Sequence, residues 1–191
     1  MNNNIVLELY KKSQTVFTFK EVSLLFLHLP SNSLRDKLAY AVKTKKLVKL
    51  RKGIYAKEGY QPLELANRIF APSYISLETV LTKEGIIFQE YRNIFVLTYL
   101  TRKLNINNYF FYFRKIKDLI LLNQTGIENK NHYYIANKER AFLDAVFLYK
   151  DYHFDNLKPL DWDKVNQYKN IYQSKILEKR VAEYYVQSKS A

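Results

Sequence analysis

The chain of 191 residues contains no cysteine, which removes disulfides, thiolate metal sites and cysteine nucleophiles from consideration. Glycine and proline are scarce, four of each, and they fall between periodic segments, where they act as punctuation. The three histidines, His28, His132 and His153, are scattered, with no partner at ligand spacing. A glycine-rich phosphate loop, a nucleophile elbow and a metal-binding helix motif are all missing. No apolar run approaches the roughly 18 residues that span a bilayer. The opening Met1-Asn2-Asn3-Asn4 lacks the basic-then-apolar pattern of a signal peptide. These absences set the expectation of a soluble cytoplasmic protein, not an enzyme, with no catalytic residue, no metal, no cofactor and no membrane partner.

What is present is positive charge. Thirty-one Lys plus Arg stand against eighteen Asp plus Glu, a net charge of +13. A surface of that kind attracts polyanions, chiefly nucleic acid or anionic lipid. Apolar residues make up 48% of the chain, enough for a globular core.

Residues 1 to 58 read as helix, helix, helix, hairpin. Thr18-Phe19-Lys20-Glu21 matches a capping box and opens a helix carrying Val22, Leu25 and Phe26. After Pro30 a third helix runs to about Lys45, with Leu34, Leu38, Ala41 and Val42 at helical spacing. The period then changes. Leu47, Val48 and Leu50 precede Arg51-Lys52-Gly53, and Ile54-Tyr55-Ala56 follow, a β-hairpin with a basic tip. Helices followed by a basic hairpin are the layout of a winged helix-turn-helix, in which the third helix enters the major groove and the wing lies on the phosphate backbone.

Charge placement agrees with that layout. Arg35, Lys37, Lys43, Lys45, Lys46, Lys49, Arg51 and Lys52 crowd one stretch in which Asp36 is the sole acid. Opposite the apolar face of the third helix lie Asn32, Asp36, Tyr40 and Lys43, flanked by Ser33, Lys37 and Thr44. Asn, Ser and Tyr can read base edges or bond phosphates, and Lys can do either. The expected DNA-binding set is therefore Asn32, Ser33, Arg35, Lys37, Tyr40, Lys43, Lys46, Lys49, Arg51 and Lys52. Asp36 would accept from a cytosine amino group or pair with Lys37 or Tyr40.

Residues 59–191 read as an α+β domain with a helical C-terminus. Helices are expected over Pro62–Phe70, Ser76–Glu84 (capped by Ser76), Asn137–Lys150 and 161–188. Ile86-Ile87-Phe88, Ile94–Thr98, Tyr109–Ile116 and Tyr133-Tyr134-Ile135 read as strands. Arg68 and Glu78 are candidates for an ion pair. The run Tyr109-Phe110-Phe111-Tyr112-Phe113-Arg114-Lys115 admits either a core strand or an aromatic platform for unpaired bases. A nuclease-like enzyme that captures nucleic acid with the basic hairpin is the alternative reading, and it needs Asp118, Glu128, Glu139 and Asp144 to converge in the fold.

The wing stretch Leu47 to Ala56, the block Glu64 to Ile69, and Pro72 to Leu81 with Gly85-Ile86-Ile87 resemble the AbiEi antitoxins of abortive-infection systems. Ile135-Ala136-Asn137-Lys138-Glu139-Arg140-Ala141-Phe142-Leu143-Asp144 is similar to a further block of that family, with Asn137 where a small hydroxyl residue is expected. The resemblance spans roughly residues 15 to 150. It implies an antitoxin of a type IV toxin–antitoxin pair that represses its own operon by binding inverted repeats in the promoter. Its functional partner would be a nucleotidyltransferase toxin, counteracted without a stable complex.

Overall fold

The computed structural model describes residues 4–89 and 91–190. The chain is α+β and divides into two compact units, Met1–Ile69 and Phe70–Ala191. The division falls after Ile69 rather than after residue 58. The reason is Glu64 on helix α4 (Pro62–Ile69), which is 1% exposed. Its Oε2 accepts from the Thr15 N–H and hydroxyl, both at 2.7 Å, and from the Val16 N–H at 2.8 Å. A buried carboxylate needs such donors, so α4 is held against the strand at Val16.

In the first unit the order is α1 (Ile5–Tyr10), β1 (Val16–Thr18), α2 (Phe19–Leu25), α3 (Ser31–Lys43), β2 (Val48–Arg51), β3 (Ile54–Ala56), then α4. The strands form an antiparallel sheet in the order β1-β3-β2. Strand β1 is too short to be read from period alone. The capping box is present, with the Thr18 hydroxyl accepting from the Glu21 N–H and Glu21 accepting from the Thr18 N–H. Leu9, Phe17, Val22, Phe26, Leu34, Leu38, Ala41 and Leu47 build the core. Leu25, expected on the buried face of α2, is 42% exposed. The helix ends there, with Leu24 and Leu25 exposed and Val22 and Phe26 taking the core positions.

The second unit is built on a six-stranded mixed sheet in the order β6-β7-β5-β4-β9-β8. These strands are β4 (Ser73–Ile75), β5 (Asn93–Thr98), β6 (Arg102–Ile106), β7 (Tyr109–Lys115), β8 (Ile127–Lys130) and β9 (Tyr133–Ala136). Helices α5 (Glu78–Lys83), α6 (Asp118–Leu121), α7 (Lys138–Leu148), α8 (Trp162–Tyr168) and α9 (Lys175–Ser190) complete it. Sequence reading missed β6 and β8. Their hairpins turn on Asn107-Asn108 and Asn131-His132, all four at positive φ, a conformation that Asn tolerates without glycine. Ile86-Ile87-Phe88 is not a strand. Ile86 and Ile87 instead bury their side chains in the loop after α5.

Helix α7 fills the middle of this unit. Asn137 caps it, its side chain accepting from the Arg140 N–H at 2.9 Å, which serves the helix as a hydroxyl would. Arg140 is fully buried. Its guanidinium donates to the carbonyls of Ile120 and Thr125, both at 2.7 Å, to the Tyr74 hydroxyl at 3.2 Å and to Asp144 at 3.4 Å. Asp144 also accepts from Ser76, Tyr172 and Tyr74 hydroxyls. Burial works against the arginine's charge, but Tyr172, Asp144 and Tyr74 outweigh it and hold the group protonated. Ser76 therefore serves Asp144 and not the N-cap of α5, where Leu77 stands without a side-chain cap bond. Arg140→Ala would leave Asp144 buried and unpaired, which costs about 3–5 kcal/mol. Urea unfolding should show that loss, and an unchanged midpoint would remove Arg140 from its structural role.

Candidate nucleic-acid interface

Burial of Leu34, Leu38 and Ala41 fixes the rotation of α3. Because 3.6 residues make a turn, Asn32, Asp36, Tyr40 and Lys43 must then face solvent, and all four are exposed. Arg35, Lys37, Lys46, Lys49 and Lys52 are exposed as well, while Ser33 and Arg51 are half-buried.

These side chains sort onto two clefts of the first unit, each about 470 Å³. Arg35, Asp36, Lys49 and Lys52 line the cleft between α3 and the β2–β3 hairpin, together with Phe19, Ala39, Gly53 and Tyr55. Lys37, Tyr40 and Lys46 line the other, beside α1, again with Asp36. Asn32, Ser33, Lys43 and Arg51 line neither.

The hairpin cleft is held in shape. The Arg35 guanidinium lies over the Phe19 ring, 5.2 Å from its centre, an attraction that limits the wandering of a long side chain. Gly53 turns the hairpin at φ +75°, and its carbonyl accepts from the Phe19 N–H at 2.7 Å. The hairpin tip is thus tied to the first turn of α2. Between Lys49 and Arg51 the register with β3 shifts, a bulge that increases the local twist of a hairpin. Burial pushes the Tyr55 hydroxyl's pKa up, opposed by the positive charge of Arg35. Sequence reasoning missed Phe19, which it had only as the first residue after a cap, and Tyr55. The alternation of Ile54, Tyr55 and Ala56 gave no sign that Tyr55 would line a cleft.

Of the four carboxylates of the enzymatic reading, Glu128 and Glu139 line one cleft, together with Lys130, Lys138 and Lys164, and Asp118 and Asp144 do not. Asp144 is bound to Arg140, and Glu139 accepts from the Asp161 N–H at 3.2 Å. Glu128 pairs with Lys130 at 2.6 Å, and Asp118 is exposed. Among the described residues there is no group of three or more His, Cys, Asp or Glu positioned to hold a metal ion. No helix among them is long and apolar enough to cross a membrane.

Arg68 and Glu78, expected as a pair, fall in different units. Arg68 meets Glu21 at 2.9 Å. Glu78 is buried and accepts from the Tyr149 hydroxyl at 2.9 Å.

No family model matches the chain, and no curated protein matches it.

Burial raises the pKa of Glu78 above the ordinary 4.5, against the lowering effects of its own backbone N–H, the Tyr149 hydroxyl and Arg114. A carboxyl whose folded pKa is raised gives its full stability below the unfolded pKa and loses it as pH rises toward the folded value. Glu78→Gln keeps the oxygen that accepts from Tyr149 and removes the titration. Wild-type stability should therefore fall relative to Glu78→Gln as pH rises from about 4.5 toward neutrality. Parallel stability-versus-pH curves for the two proteins would contradict the burial argument.

Proposed function

We propose that the first unit is a winged helix-turn-helix that binds double-stranded DNA, and that the chain is a non-enzymatic transcriptional repressor acting as an antitoxin. The observation that carries the DNA-binding reading is the convergence of Arg35, Lys49 and Lys52 on one cleft between α3 and a hairpin tied to α2. The order α1-β1-α2-α3-β2-β3, with a three-stranded antiparallel sheet, supports the same reading. In that arrangement α3 lies in the major groove. Asn32 and Tyr40 address base edges, and Lys49, Arg51 and Lys52 meet phosphate. The antitoxin role rests on the blocks from Glu64 to Leu81 and from Ile135 to Asp144 that resemble the AbiEi family. That resemblance makes the operon promoter the DNA target and a nucleotidyltransferase toxin the functional partner.

Binding to the promoter should weaken steeply with salt, because each lysine or arginine that meets a phosphate displaces condensed counterions. Replacing Lys49, Arg51 and Lys52 by Ala should weaken all sequences alike. The slope of log affinity against log salt should shrink by roughly one for each phosphate no longer neutralised. Asn32→Ala and Tyr40→Ala should instead relax preference at particular base pairs, by about 1–3 kcal/mol each. A flat salt response, or base preference altered by the hairpin changes alone, would overturn the assignment.

For the antitoxin role, the toxin is placed under an unrelated promoter and the full chain is supplied with its hairpin charges reversed. Protection of cells should persist while repression of the native promoter is abolished. If protection disappears with repression, the two roles are one.

A further inference from the structure

The excess charge of the second unit is confined to one place. Residues 70–191 hold eighteen basic and thirteen acidic residues. Of these, Arg92, Arg102, Lys103, Arg114, Lys115 and Lys117 fall within residues 91–117, a stretch with no acid at all. Outside it the balance is twelve basic to thirteen acidic. The stretch comprises β5, β6 and β7, which are adjacent at one end of the sheet, with β6 at its edge.

Strand alternation assigns these residues to faces. Phe111 and Phe113 are fully buried. Phe110, Tyr112 and Arg114 take the opposite face, where Phe110 is 44% exposed and Tyr112 and Arg114 are half-buried. Cross-strand partners share a face. Phe110 therefore stands between Asn93 of β5 and Asn105 of β6, and Tyr112 between Phe95 and Lys103. The Lys103 ammonium lies 4.2 Å from the centre of the Tyr112 ring, which occupies that ring with a cation and leaves Phe110 as the open aromatic. The Arg114 guanidinium lies 5.2 Å from the centre of the Tyr149 ring, and the carboxylate that acts on it, that of Glu78, is buried and accepts from the Tyr149 hydroxyl.

An open aromatic ring between two amide side chains, beside lysine and arginine on three strands without an acid, matches the chemistry of an unpaired base and its phosphates. The ring stacks on the base, the amides bond its edge, and the cations meet the backbone. An acidic polypeptide would satisfy the cations and leave Phe110 without a role. Duplex DNA conceals its base faces and cannot use the ring. We propose that this end of the sheet binds single-stranded nucleic acid, with Phe110 as the stacking platform and Lys103 and Arg114 as phosphate ligands. It is a site separate from the α3 and hairpin surface, and it absorbs the aromatic run at 109–115 that the repressor reading leaves unused.

The test uses the full chain with fluorescein-labelled oligo(U) and oligo(dT) of about twelve nucleotides, within the usual site size, followed by anisotropy. Either oligonucleotide should bind, and their ratio names the preferred sugar. Phe110→Ala should weaken binding by about tenfold or more, the effect of removing one stacked base. Phe110→Trp should retain it. Lys103→Ala should weaken binding and flatten its salt dependence. The variant lacking Lys49, Arg51 and Lys52 should bind the oligonucleotides as wild type does. Because Phe110 is exposed, its replacement should leave the circular dichroism and melting curve unchanged. The proposal is overturned if Phe110→Ala binds as wild type does, if the hairpin variant fails to bind the oligonucleotide, or if polyglutamate competes equally per charge.

Discussion

A charged side chain cannot be left in a protein interior without partners, and each unit of this chain is organised around one such group. In the second unit it is Arg140, whose guanidinium gathers the carbonyls of Ile120 and Thr125, the hydroxyl of Tyr74 and the carboxylate of Asp144. Those partners come from α6, the loop before β8, β4 and α7. Asp144 extends the network to Ser76 and, through Tyr172, to the segment between α8 and α9. In the first unit it is Glu64, whose carboxylate closes the N–H groups of Thr15 and Val16. Neither network presents chemistry to solvent. Each fixes where a helix stands, and the surfaces that carry charge follow from that.

Much of this was legible in the sequence. The capping box at Thr18 and Glu21, the apolar spacing of Leu34, Leu38 and Ala41, and the turn at Gly53 are local signals, and local signals survive folding. So does the outward face of α3, because burying one side of a helix determines the other. The parts that were not legible depend on distant partners. Glu64 has the pattern of an exposed helix acid, and its partners stand 48 and 49 residues earlier in the chain. Ser76 has the residue type and position of a cap, and tertiary bonding to Asp144 took it elsewhere. Strand β6 was hidden because its turn uses asparagine where glycine is the familiar sign.

The candidate interface shows the same division. Charge and helical phase pick out ten residues, and the geometry groups them by cleft. Arg35, Lys49 and Lys52 share one, while Lys37, Tyr40 and Lys46 share the other. Asp36 lies on both. In the proposed complex a carboxylate at that position would repel phosphate and accept from base amino groups, so it would bear on which sequences are tolerated more than on how tightly DNA is held. Phe19 and Gly53 were not expected to meet DNA, yet they hold Arg35 and the hairpin tip in place.

The central claim is that α3 and the β2–β3 hairpin form the surface that meets duplex DNA. Amide chemical-shift mapping tests it most directly, with isotope-labelled full chain titrated by a duplex from the region upstream of its own coding sequence. The account predicts that the largest shifts fall between Ser31 and Gly53, with those of Arg35, Tyr40, Lys49 and Lys52 prominent among them. Shifts of equal size spread over the chain, or concentrated on α4 or the second unit while residues 31–53 stay still, would contradict it.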